Sequence, residues 1–205
     1  MQIRKSIILA CLLFLGFQLM AQDAYTTDIL IHREAYKNDF LKNERSPLHS
    51  EKELANIHFF APDESYRVKA KFTRTPDAKA FDLATYSGIT KPYIQYGWLN
   101  FSLNGQTHKL AIYQSLNLRV MPQYRDYLFL PFKDITNGES TYGGGRYLDF
   151  KVTDIQNGEL IIDFNKAYNP WCAYADGYNC PIPPKENHLA IPVKAGEQNY
   201  GGENH

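Results

Sequence analysis

Cysteine is nearly absent, with three in 205 residues, and one of these, Cys11, lies inside the only long apolar run. So few thiols leave no multi-thiolate metal centre to be expected. Neither sign of charge is in excess, since 22 basic residues face 22 acidic ones. Without a basic field, nucleic acid and an anionic membrane surface are not expected as partners. Beyond the N-terminus, no apolar stretch approaches the roughly 20 residues that a spanning helix needs. What the chain does have is tyrosine and phenylalanine, 15 and 12 of them, and 13 glycines.

The N-terminal run reads as an export signal. Arg4 and Lys5 precede an apolar segment from Ile7 to Leu19, and Leu19-Met20-Ala21 ends in a small residue. This is the order of a secretory signal peptide, cleaved near Ala21 or Gln22. Ile8-Leu9-Ala10-Cys11 has the outline of a lipidation site, but the apolar run continues past Cys11 and Leu9 suits it poorly. Lipid anchoring and stable membrane insertion are therefore not expected. The expected organisation is a signal peptide over residues 1–22, a single β-rich domain over 23–197 and a flexible tail over 198–205, in a periplasmic or secreted protein.

Hydrophobic periodicity changes along the mature chain. Ile29, Arg33, Tyr36 and Phe40 recur at helical spacing, with Thr26 or Thr27 as a cap and Ser46-Pro47 as a stop. Ser50 and Glu53 stand at capping-box spacing for a short second helix. From Tyr66 the period becomes two, as Tyr66, Val68, Ala70 and Phe72 alternate with polar residues. Asn104-Gly105 predicts a type I′ hairpin with Leu99 opposite Leu110 and Phe101 opposite His108. A second pair, Asn157-Gly158, predicts a bulged hairpin with Phe150 opposite Phe164 and Val152 opposite Ile162. The fold class is α+β, mainly antiparallel β, as a barrel or sandwich with helical elements at its N-terminus.

Chemistry concentrates between Glu139 and Glu197. Gly143, Gly144 and Gly145 let backbone N–H groups converge on a ligand, and Arg146 adds a guanidinium fork suited to a carboxylate or phosphate. In the bulged register, Asp149 and Asp163 share one face with Asn165. Tyr142, Asn169, Glu186 and Asn187 complete the candidate ligand set, with Tyr168, Trp171, Tyr174 and Tyr178 as aromatic walls. Cys172 and Cys180 are the thiols left after signal removal, and in an exported chain an isolated pair points first to a disulfide. His188 leaves two lesser readings open, a loose metal site and a Cys172 nucleophile. No metal and no cofactor are expected.

Several ordered motifs then carry a resemblance. Ile57-His-Phe-Phe-Ala-Pro-Asp63, Tyr127-Leu-Phe-Leu-Pro-Phe132, Thr141-Tyr-Gly-Gly-Gly-Arg-Tyr-Leu-Asp149, Tyr168-Asn-Pro170 and Cys180-Pro-Ile-Pro-Pro184 are similar to the bacterial domain of unknown function 1684 family. The resemblance spans nearly the whole mature chain and implies a β-rich domain, with no activity or catalytic residue to carry over. From the residues themselves the first expectation is an exported protein that binds a small polar or anionic ligand. A hydrolase using Asp149 or Asp163 with Arg146, and a structural or interaction domain, are the alternatives.

Overall fold

The computed structural model describes residues 23–203, so the expected signal peptide lies outside the described residues. Residues 23–42 form helix α1, with Ile29, Arg33 and Phe40 buried and Tyr36 half-buried on the face that the spacing marks. Thr26 and Thr27 fall inside this helix instead of capping it, and the Thr27 hydroxyl donates to the Asp23 carbonyl at 2.8 Å. Helix α2, Glu51–Leu54, starts as its sequence indicates. The Ser50 hydroxyl accepts from the Glu53 N–H at 3.3 Å, and Glu53 reaches back to the His49 N–H at 3.0 Å.

Seven strands follow: β1 Arg67–Arg74, β2 Ala80–Ala84, β3 Thr90–Leu103, β4 Gln106–Ser115, β5 Tyr127–Phe132, β6 Arg146–Lys151 and β7 Glu159–Asp163. They pair antiparallel in the order β6-β5-β4-β3-β1-β7, with β2 also on β3, and curl into a half-barrel. The β3–β4 hairpin has the register that its turn specifies. Leu99 faces Leu110, Phe101 faces His108, and Asn104 and Gly105 take positive φ of 52° and 74°. One sheet face encloses the main core, in which Leu99, Leu110, Ile112, Leu128, Leu130 and Ile162 are fully buried. Truncating any of these to alanine would cost about 2–5 kcal/mol. The opposite face carries a second, aromatic cluster around Tyr93, Tyr113, Phe129 and Tyr147.

The bulged hairpin expected at Asn157-Gly158 does not form. Asn157 and Gly158 do adopt positive φ, 53° and 75°, in a tight turn closed by reciprocal Gln156 and Glu159 backbone hydrogen bonds of 2.9 Å. The chain entering that turn is a 3-10 helix, Val152–Asp154, so β6 and β7 never pair. β6 instead pairs with β5, placing Phe150 opposite Leu128, and β7 pairs with β1, placing Ile162 opposite Val68. The local turn preference was satisfied, but longer-range partners took the strands. The two become the edge strands of the half-barrel, with a gap between them.

Candidate functional site

Strand period decides where the residues of β6 go. Successive side chains point to opposite faces. Arg146, Leu148 and Phe150 therefore turn toward the main core, and Tyr147 and Asp149 turn to the aromatic face. Arg146 is fully buried. Its Nη2 donates to Asp134 Oδ2 at 2.8 Å and to the Val193 carbonyl at 2.8 Å, while Nη1 donates to the Ala195 carbonyl and to the Glu197 carbonyl at 3.2 Å. Burial lowers its pKa and the Asp134 carboxylate opposes that, so the guanidinium stays charged. These bonds fasten the C-terminal segment across the sheet. They leave the fork no outward face for a ligand anion.

The glycine loop before Arg146 is likewise occupied by the chain itself. Asp134 accepts from the Thr136 N–H, the Thr136 hydroxyl and the Val193 N–H. Asn137 spans the loop, donating to the Tyr142 carbonyl and the Thr141 hydroxyl, both at 2.9 Å. Gly145 has a φ of 93°, and a Cβ there would sit 2.7 Å from the Phe132 carbonyl oxygen. Gly143 is exposed, with nothing nearer to a Cβ than 3.7 Å, and the Gly144 carbonyl accepts from the Tyr86 hydroxyl at 3.0 Å. Tyr142 lines a separate small depression beside Tyr86 and Cys172.

The buried amides also serve the fold. Asn187 lies where β4 and β5 share only the pair Tyr113 and Phe129. Its side chain accepts from the Ala111 N–H at 2.7 Å and donates to the Ala111 and Pro131 carbonyls at 2.8 and 2.6 Å, doing the work of a strand partner. Asn165 bridges the Asp63 backbone, Asp163 and the Tyr25 hydroxyl, and Asp163 itself accepts from Tyr25. Asn169 holds Glu197 through its N–H at 2.9 Å and donates through its side chain to the Gln198 carbonyl at 2.7 Å. Glu186 is exposed and accepts from the Tyr113 hydroxyl at 2.8 Å. The nearby His188 ring meets the Pro183 carbonyl at 3.1 Å.

A cleft of about 1250 Å³ lies against the aromatic sheet face and the gap between the edge strands. Of the sequence-derived ligand set, it brings in Asp149 and Asp163. Asp149 is the better placed. Its Oδ1 accepts from the Tyr127 hydroxyl at 2.6 Å and its Oδ2 from the Tyr168 hydroxyl at 2.8 Å. Solvent still reaches the carboxylate, but protein crowds it on most sides. That crowding pushes its pKa upward, and the two tyrosine hydroxyls pull it back. Tyr93, also in the cleft, is pushed up to about 12 by burial and then by the Asp149 charge.

The other walls follow from local chemistry. Tyr168 meets β6 through reciprocal backbone hydrogen bonds with Tyr147 of 2.9 and 3.1 Å. The far wall, Tyr178 to Pro181, is pinned by the Cys172–Cys180 disulfide, whose Cα atoms are 6.2 Å apart. Closing that short loop contributes about 2.5 kcal/mol in the chain-entropy model. Phe129 and Tyr147 meet edge to face at 4.8 Å, Tyr147 and Tyr168 at 5.9 Å, and Trp171 and Tyr178 at 5.3 Å. Tyr93, Tyr127, Phe129 and Tyr147 were not among the candidates read from the sequence. The alternation of Tyr127 and Phe129 against Leu128 and Leu130 was the signal that marks them as a second, outward aromatic face.

Among the described residues, no cluster of three or more His, Cys, Asp or Glu is placed to hold a metal ion, and no helix is long and apolar enough to cross a membrane. No curated protein matches the chain. The solution NMR structure of an uncharacterized protein from Haloarcula marismortui is similar, at 32% identity and a TM-score of 0.66, over 87% of this chain and 96% of that one. The family model described as "Protein of unknown function (DUF1684)" matches residues 52–198, and the chain belongs to that family.

Proposed function

We propose that this is an exported protein that binds a small polar organic molecule in the aromatic cleft, with Asp149 at its floor. The observation that carries the reading is the Asp149 carboxylate, held by two tyrosine hydroxyls in a concave aromatic site, with no cationic side chain of the described residues within 4.0 Å of it. A carboxylate used only for structure is usually paired or capping a turn, as Asp134 is here. Asp149 is instead presented to a space large enough for a ligand. Export is supported by the N-terminal pattern and by the disulfide, which persists in oxidising compartments.

The anionic ligand class loses its support, because the guanidinium and glycine loop that suggested it are engaged internally. The hydrolase alternative loses the same Arg146, and Asp163, unlike Asp149, is buried with its oxygens turned to Tyr25 and Asn165. Ligand-observed NMR with a fragment library tests the binding reading. Fragments should bind the parent protein and be lost on Asp149→Asn, a near-isosteric variant that removes the charge and makes one of the two tyrosines accept instead of donate. A library in which no fragment distinguishes the two proteins would refute it.

A further inference from the structure

We infer that the cleft recognises an organic ammonium group, seated between Asp149 and the surrounding aromatic faces. This rests on the binding role proposed for the cleft and goes on to specify the chemical class of its ligand. Its basis is an inventory of donors. A tyrosine hydroxyl has one proton to give, and four tyrosines of this cleft have theirs committed. Tyr127 and Tyr168 donate theirs to Asp149, Tyr147 donates to the Pro181 carbonyl, and Tyr178 donates to the Arg45 carbonyl at 2.9 Å. Lys91, the cation on the β3 side, gives a donor to the Asn179 carbonyl at 2.6 Å. Beside Asp149 these commitments leave oxygen lone pairs and ring faces, both negative, although the cleft as a whole also holds the Trp171 indole, Lys91 and Lys166 as donors.

A carboxylate with open lone pairs set among ring faces selects a ligand that brings donors or positive charge. Asp149 has four lone-pair positions, of which the two tyrosines occupy two. Tyr93, Phe129, Tyr147 and Trp171 line the same space and add ring faces that attract a cation. Of the other basic residues in the cleft, His32 comes from α1, Lys166 follows β7, and Arg67 and Lys69 come from β1. There Arg67 lies 3.6 Å from Glu64 and Lys69 lies 3.1 Å from Glu159, so their charge is largely answered locally. A sugar also brings hydroxyl donors, but it lacks the positive charge that a carboxylate and ring faces attract together. A bare metal ion would need more carboxylates or imidazoles than Asp149 provides.

The test compares choline, ethanolamine and 3,3-dimethylbutan-1-ol, the neutral carbon isostere of choline, by calorimetric titration of the full mature protein. Choline or ethanolamine should bind at least roughly tenfold more tightly than the neutral isostere, and Asp149→Asn should erase most of that difference. Preference for choline over ethanolamine would assign the selectivity to the rings, and the reverse to N–H donation toward Asp149. Both outcomes support an ammonium site. Neither ammonium binding more tightly than dimethylbutanol, or ammonium binding unchanged in an Asp149→Asn protein of native spectrum, overturns the inference. If library fragments saturate the cleft and neither ammonium does, the ammonium assignment alone fails. If nothing binds there, the binding role fails with it.

Discussion

Replacing Arg146 separates a fastening role from a ligand-binding one. Its guanidinium is fully buried, paired with Asp134 at 2.8 Å, and shared among the carbonyls of Val193, Ala195 and Glu197. Removing one partner of such a pair leaves an uncompensated buried charge, at a cost of about 3–5 kcal/mol. In a domain of this size each kcal/mol moves the melting temperature by roughly 2–4 °C, so Arg146→Met should melt about 6–20 °C lower. Arg146→Lys keeps the charge, but a single ammonium cannot reach the carboxylate and three carbonyls together, so about 2 kcal/mol of loss is expected. Scanning calorimetry gives the stability, and titration of Arg146→Lys below its melting point gives the affinity. Stability should fall and affinity should hold. A melting temperature within about 2 °C of the parent, together with lost binding, would refute this assignment and return Arg146 to the ligand site.

Three further outcomes follow from individual residues. Gly145→Ala should destabilise by about 1–3 kcal/mol, since a Cβ at φ 93° meets the Phe132 carbonyl, whereas Gly143→Ala should be near neutral in the same urea titration. Equal effects would show that the loop conformation is misread. Glu197 is fully buried and accepts from Tyr36, Tyr174 and Asn169, and burial raises its pKa from 4.5 to about 7. Its favourable contribution is therefore fully present below about 4.5 and is lost as pH rises through about 7, by at most about 3 kcal/mol. Glu197→Gln should flatten that part of the stability profile, and an unchanged slope in urea unfolding across the range would contradict it. Reducing Cys172–Cys180, or replacing both with serine, should cost about 2.5 kcal/mol and speed hydrogen exchange in the Tyr178–Pro181 wall, which would otherwise stay at the parent rate.

Local patterns were legible where neighbours in sequence are also neighbours in space. The α1 face, the α2 capping box, the alternation in β1 and the Asn104-Gly105 register all rest on contacts within a few residues or across one tight turn. Asn157-Gly158 obeyed the same turn rule and still failed as a hairpin, because β6 pairs with β5 and β7 with β1, which set Phe150 against Leu128 and Ile162 against Val68. The site divided in a similar way. The disulfide pair was readable, but Arg146 and Asp149, read as parts of one site, are an odd number of residues apart on one strand and so cannot share a regular face. That parity was in the sequence. The roles of Asn165, Asn169 and Asn187 were not, since each is set by backbone groups far away in the chain, such as Asp63, Gln198 and Ala111.

The most direct test is protein-observed NMR shift mapping with the first molecule that saturates the protein. Binding at the cleft predicts perturbations centred on Tyr127, Tyr147, Asp149, Tyr168 and Trp171, and their disappearance in Asp149→Asn. Perturbations centred on Tyr142 to Arg146, with Asp149→Asn binding as the parent does, would contradict it.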